Sequence, residues 1–256
     1  MLIFSFCKGI IRNLACSGID TNSLRVSATL QPAGFLATLA LKDVDGIYFK
    51  GDTALQKIFL HYARLSEDID YTVTEDIKKI SSQIIKIVED SGIFEQVTVD
   101  KEVDGFKRLL VHHRGFSEEK DVVFIDLNER ATLIEKPETH EVPHFYEGFI
   151  PEFSVNTLAQ KELFAEKLAA AIGRNKPRDH FDVYMLIKNG YTIDLALAEK
   201  KCRQSGYEFD VVKMFNKAKR LHKRWDQDML PLLAEEVAFT EVMKTLAKIF
   251  DLKSKR

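Results

Sequence analysis

Two neighbouring stretches decide the fold: Tyr48-Phe49-Lys50-Gly51-Asp52-Thr53-Ala54-Leu55, then Ser66-Glu67-Asp68-Ile69-Asp70-Tyr71. Ile47-Tyr48-Phe49 is a short β-prone run, entered from Gly46 and left at Gly51. A strand, a Gly51-x-Thr53 turn and a helix follow one another in the order of a phosphate cradle. The small residue admits close backbone approach, and a hydroxyl and the helix N-terminal N–H groups face an anion. On a strand, residues two apart project to one face, so Asp68 and Asp70 present adjacent carboxylates while Ile69 points to the core. Such carboxylates repel, and a bound divalent cation relieves the repulsion. Hard oxygen ligands of this kind suit Mg²⁺, or Mn²⁺, shared with substrate phosphates. Each element alone also has a plain structural reading, as a solvated strand edge and an N-capping threonine.

Working outward, Phe35–Leu41 reads as an apolar helix, and Ala54–Leu65 carries Leu55, Ile58, Phe59 and Tyr62 at helical spacing. Ile69–Val73 is a second strand. Glu75–Asp90 is an amphipathic helix with Ile77, Ile80, Ile84, Ile87 and Val88 on one face, ended at Gly92. Residues 97–103, 106–112 and 122–127 read as strands, with Asp104-Gly105 turning the first hairpin. Residues 131–153 hold three of the six prolines and read as a connector with at most short strands. Helical periodicity then dominates residues 157–172, 179–188, 194–201, 209–224 and 232–252. The expectation is an α+β protein: residues 1–153 form a small mixed sheet flanked by helices, and residues 154–256 form a helical domain.

Composition sets limits on function. With 37 Lys and Arg against 39 Asp and Glu in 256 residues, the net charge is −2, which excludes a protein that coats nucleic acid by bulk attraction. Cys7, Cys16 and Cys202 form no close pair, which favours a reducing, cytoplasmic setting over a disulfide framework. Residues Met1–Cys7 are apolar, but Lys8 and Arg12 interrupt them too early for a signal segment. No apolar run is long enough to span a membrane.

Phe49-Lys50-Gly51-x-Thr53-Ala54-Leu55 followed by Arg64-x-Ser66-Glu67-Asp68-Ile69-Asp70 resembles the signature of the AbiEii/AbiGii-type nucleotidyltransferases. These belong to the polymerase-β-like superfamily and include toxins of toxin–antitoxin and abortive-infection systems. The resemblance continues through Glu166-Lys167-Leu168-Ala169-Ala170, Arg174 and Arg178-Asp179-x-x-Asp182-Val183-Tyr184. It implies a polymerase-β-like nucleotidyltransferase domain whose active-site cleft the helical domain completes. It also implies two metal ions that hold a nucleoside triphosphate for in-line attack at the α-phosphorus. Asp68 and Asp70 match the family's metal ligands. Lys167 matches its helical lysine, and Asp182 completes the catalytic set. Lys50, Gly51, Thr53, Ser66, Arg178 and Asp179 fall at nucleotide-binding positions. Asp52 stands where the family commonly has a second glycine, a departure that matters if the position needs a positive φ.

Other residues keep two readings. Asp126, in Val122–Leu127, is either the third metal ligand or a strand-end cap. Lys167 either neutralises triphosphate charge or snorkels from its helix. Asp179 and Asp182 share a helix face and orient Lys167, approach the nucleotide, or stabilise the helix dipole. Lys213, Lys217, Arg220 and Arg224 form a stripe on the expected 209–224 helix, which either holds RNA phosphates or is merely solvated. His140-Glu141-Val142-Pro143-His144 spells the zincin pattern, but Pro143 breaks the helix that chemistry requires. Lys253–Arg256 reads as a frayed basic end.

The reading is therefore a Mg²⁺-dependent toxin that transfers a nucleoside monophosphate from an NTP to an acceptor hydroxyl and releases pyrophosphate. tRNA is the first acceptor expected, and an antitoxin encoded nearby is an expected partner. The alternatives are a protein-modifying (NMPylating) nucleotidyltransferase and a non-catalytic nucleotide- or RNA-binding module of the same fold.

Overall fold

A computed structural model describes residues 32–114, 120–130, 132–146, 148 and 150–251; the expectations for residues 1–30, Cys7, Cys16 and Lys253–Arg256 lie outside them. The described chain forms two compact units. One comprises the residues up to Phe59 with Ser66–Leu158, and the other comprises Leu60–Leu65 with the chain from Ala159 onward.

The first unit is built on period-2 alternation. Strands β1 (Ile47–Lys50), β2 (Ile69–Val73), β3 (Gln96–Val103), β4 (Phe106–Arg114), β5 (Lys120–Asn128), β6 (Glu138–Glu141) and β7 (Ser154–Thr157) form one mixed sheet. Its order is β3-β4-β5-β2-β1-β7-β6. Ile47, Phe49, Ile69, Tyr71, Leu109, Val111, Ile125 and Leu127 are buried along the central strands. Gly105, at φ 65°, turns the β3–β4 hairpin as its Asp-Gly pair suggests. β2 and β5 run parallel, which sets Asp70 opposite Asp126, while β1 pairs antiparallel with β2 and sets Lys50 opposite Asp70. Helix α1 (Pro32–Ala40) and helix α3 (Ile77–Asp90) belong to the same unit. Asp76 caps α3 by accepting from the Lys79 N–H at 2.7 Å, and Ile77, Ile80, Ile84 and Val88 are buried.

Between β1 and β2 the structure departs from the expected helix over residues 54–65. Helix α2 (Gly51–Ala54) passes into one π-helical turn, Leu55–Phe59, and stops. His61 and Tyr62 both have left-handed φ, 48° and 60°, which no right-handed helix can accommodate. The wider turn also changes which residues face inward: Gln56 and Lys57 are buried.

The second unit is helical. Helix α4 (Gln160–Arg174) is buried along most of its length, through Leu163, Phe164, Leu168, Ala171 and Ile172. It contacts α5 (Pro177–Lys188), which opens at Pro177, and α6 (Leu195–Gln204). Lys201 of α6 is buried and pairs with Glu162 and Glu166 of α4. The continuous helix expected over residues 209–224 is instead broken. Asp210 caps a 3-10 turn at Val211–Met214, and helix α7 starts separately at Ala218 and runs to Met229. Lys213 therefore lies on a different element from Arg220 and Arg224, and the four cations share no single helix face. The last expected helix is shorter too: a 3-10 turn at Leu230–Leu232 precedes α8 (Phe239–Ile249). No helix among the described residues is long and apolar enough to cross a membrane.

Candidate active site

The carboxylates of the first unit meet at the start of β2. Asp70 is crowded: burial and the neighbouring Asp52 raise its carboxyl pKa to about 7, Lys50 opposes the shift, and Asp126 and Asp68 add to it. Gly51 adopts φ 73°, and a Cβ there would collide with the Asp70 carboxylate. Glycine is therefore required twice over, by conformation and by space. Asp52 is not among the positive-φ residues, so the left-handed step belongs to Gly51 and aspartate fits its own position without strain.

Thr53 is fully buried, and its hydroxyl is bonded to the Ser66 Oγ at 2.9 Å and donates to the Asp68 carbonyl. Read from sequence as facing a phosphate, this hydroxyl instead ties the incoming Asp68 segment to α2. Asp126 lies beside Asp70 as β2–β5 pairing requires, and Arg108 of β4 grips both its oxygens at 2.6 and 2.7 Å. That hydrogen-bonded pairing raises the Arg108 pKa further and keeps it charged. Among the described residues, no three His, Cys, Asp or Glu side chains are grouped to hold a metal. The donor set nevertheless fits Mg²⁺, a hard cation that is bound through one or two carboxylates with substrate phosphates supplying the rest. The crowding at Asp70 is the electrostatic mark of a place where positive charge is wanted.

Beside Asp68 opens a small cleft of about 80 Å³, lined among others by Phe35, Lys57, Glu67 and Asp121. Lys57 is 6 % exposed, with its Nζ 3.6 Å from the centre of the Phe35 ring. Burial lowers its pKa to about 7 against the pull of Glu67. Glu67 is raised in turn, by burial first and then by Asp121 and Asp68. Sequence reading missed Lys57 because α-helical spacing gives no sign of the π turn that faces it inward.

The helical unit holds the second cluster. Lys167, 5 % exposed, places its Nζ 3.0 Å from Asp182 and 3.2 Å from Asp179. Asp179 also accepts from Arg174 at 2.7 Å, and both aspartates are fully buried. Lys167 is thus no snorkelling surface residue. Arg64 completes the cluster, with its Nε 2.7 Å and Nη2 2.6 Å from the two oxygens of Asp182. The resemblance contained Arg64, but nothing in the sequence assigned it a partner. Arg178 is half-buried in the first turn of α5.

The remaining expected residues have other partners or are exposed. Lys213 pairs with Glu208 at 2.7 Å and Arg224 with Asp228 at 2.6 Å, whereas Lys217 and Arg220 are exposed at the start of α7. His140 lies on β6 and His144 in the loop after it, so the zincin pattern has no helix.

The profile of the family described as "Nucleotidyl transferase AbiEii toxin, Type IV TA system" matches residues 35–247. No curated protein matches the chain. Among solved structures, MenT4, a nucleotidyltransferase toxin from Mycobacterium tuberculosis, superposes with a TM-score of 0.59 at 20% identity, covering 93% of this chain and 91% of its own. JHP933 from Helicobacter pylori superposes with a TM-score of 0.58 at 19% identity, covering 88% and 91%. At these identities the likeness is one of fold, a mixed seven-stranded sheet with a helical carboxy-terminal region.

Proposed function

We propose the reaction from one premise: the chain belongs to the AbiEii nucleotidyltransferase toxin family, and so is a toxin that transfers nucleotides from triphosphates. The transfer runs to a hydroxyl of RNA, with tRNA the first acceptor to test, in the cytoplasm and under control of an antitoxin. A bond forms between the acceptor oxygen and the α-phosphorus, the bond to the bridging oxygen of the β-phosphate breaks, pyrophosphate leaves, and the hydroxyl proton is lost.

The observation that carries this reading is the crowding of Asp70 by Asp52, Asp126 and Asp68 beside the tight Gly51 turn. Asp68 and Asp70 would hold Mg²⁺, with Asp126 as a third ligand if it exchanges Arg108 for the ion. The ion, when bound, neutralises phosphate charge and lowers the pKa of the attacking hydroxyl. Gly51 lets the chain approach the triphosphate closely, and Lys50 and Arg178 offer it positive charge. Lys167 meets phosphate oxygens with its ammonium group, and Asp179 holds that lysine in place. Thr53 and Ser66 act indirectly, by fixing the Asp68 segment. At the start of α7, Lys217 and Arg220 grip the RNA backbone.

Incubation with each labelled triphosphate, Mg²⁺ and total tRNA should label RNA, and Asp68→Ala should abolish the label. Label on protein with none on RNA would replace the RNA acceptor by a protein hydroxyl. No transfer to either would overturn the reading.

A further inference from the structure

The helical unit includes a stretch of chain from the other half of the sequence. Leu60–Leu65 belongs to it, although Phe59 and Ser66, on either side, belong to the sheet unit. Arg64 anchors this stretch through both oxygens of Asp182, and the Leu65 N–H donates to the Leu232 carbonyl at 2.8 Å. The next residue is anchored differently: Ser66 Oγ bonds Thr53, which also holds the Asp68 carbonyl. Only three peptide units separate Leu65 from Asp68, a reach of about 10 Å at full extension. A displacement of Arg64 therefore has little chain in which to dissipate before it reaches Asp68.

Asp182 also receives Lys167, so one buried carboxylate serves two cations. With the guanidinium removed, the same carboxylate would hold the Lys167 ammonium group more tightly.

We propose that Arg64 is a positioning residue: by occupying both oxygens of Asp182 it fixes the upstream end of the Asp68 segment and sets how far Lys167 is committed to Asp182. Asp182 then acts through Arg64 and Lys167 and does not touch the nucleotide. This rests on the reading that Asp68 and Lys167 serve nucleotide transfer. The geometry favours Arg64 over a generic brace. A bidentate guanidinium fixes direction as well as distance, and lysine cannot reproduce both contacts.

The test uses the full chain with Arg64→Met, Arg64→Lys, Asp182→Asn and the double variant Arg64→Met/Asp182→Asn. Three quantities are read: Mn²⁺ affinity without nucleotide, triphosphate affinity in Ca²⁺, and single-turnover rate per folded molecule. Arg64→Met should lower the rate by about 100-fold, the scale of a misplaced reacting group. It should also weaken Mn²⁺ binding several-fold, although Asp68 and Asp70 are untouched. Arg64→Lys should recover most of the Mn²⁺ affinity but only part of the rate. The double variant should be no slower than the worse single one, as expected of residues acting as one unit. Wild-type Mn²⁺ affinity and rate in folded Arg64→Met would overturn the proposal, as would multiplicative loss in the double variant. If Arg64→Met does not fold, Arg64→Lys decides alone, and an unaltered rate and unaltered Mn²⁺ affinity there would overturn it. If the wild type transfers no nucleotide, the functional reading fails, while the Mn²⁺ and Ca²⁺–triphosphate measurements still judge the role of Arg64.

Discussion

Asp70 and Asp126 stand directly opposite one another on neighbouring parallel strands, and both arms of Arg108 hold the Asp126 carboxylate. Burial first, and then the neighbouring Asp52, raise the Asp70 pKa to about 7. Between its usual value of 3.8 and about 7, the folded protein holds a proton on Asp70 that the unfolded chain has released. Stability contributed by this group therefore falls as pH rises through that window, and the full cost is present above it.

Asp70→Asn removes that cost. The variant should be more stable than wild type at pH 8, by an amount on the order of 1–3 kcal/mol or several degrees in melting temperature. The difference should shrink toward pH 4. Mn²⁺ should raise the melting temperature of the wild type at pH 8 and leave the variant nearly unmoved. Thermal melts of the pair from pH 4 to pH 8, with and without Mn²⁺, check both statements.

Lys57 has the opposite sign. Its pKa is lowered from 10.5 to about 7, so between those values the unfolded chain binds a proton that the folded protein refuses. Stability rises with pH across that window, and the full cost is present below about 7. Lys57→Met keeps the packing against Phe35 and removes the amine. It should stabilise the protein by about 1–3 kcal/mol at pH 7. The gain should decline toward pH 10.5, as denaturant melts of both proteins across that range would reveal.

Gly51→Ala should be costly, because alanine at φ 73° is strained and its Cβ meets Asp70. A loss of about 1–3 kcal/mol in stability is expected, together with weakened Mn²⁺ binding. Asp52→Asn should leave the fold intact and lower the Asp70 pKa, since Asp52 is the strongest of the neighbouring charges acting on it. Carboxyl NMR titration reads that shift directly.

Lys217→Glu/Arg220→Glu should weaken tRNA binding and reduce its salt dependence by about two charges. Triphosphate affinity in Ca²⁺ should stay unchanged. Lys213→Glu/Arg224→Glu should weaken it less, because Glu208 and Asp228 already engage those cations. Anisotropy titrations over a range of NaCl concentrations separate the two pairs.

The Phe106–Arg114 strand and the Ile77–Asp90 helix were legible because burial there follows period 2 or 3.6 along their length, whereas the four-residue strand Ser154–Thr157 fell at the start of the expected helical domain. Asp68, Asp70 and Lys167 stand out in the sequence as candidate site residues, by residue type and order. The stop after Phe59 was not: it depends on left-handed His61 and Tyr62, residues with no strong preference for that conformation. Nor was the break before Ala218, where capping by Asp210 and a 3-10 turn override an unbroken apolar rhythm. Arg64 and Asp182 lie 118 residues apart, and pairing at that range leaves no periodic trace. The same holds for Arg108 and Asp126, whose contact follows from strand register.

The chain's passage through Leu60–Leu65 bears on how such a protein can be divided or recombined. A chain cut after Leu158 would carry that segment without its helical surroundings, exposing Leu60, which is 2 % exposed in the intact protein, and stranding the Arg64 guanidinium. The complementary piece would keep a buried Asp182 without its guanidinium. Shuffling of the carboxy-terminal helices among relatives would therefore have to carry Arg64 and Asp182 together to keep this ion pair.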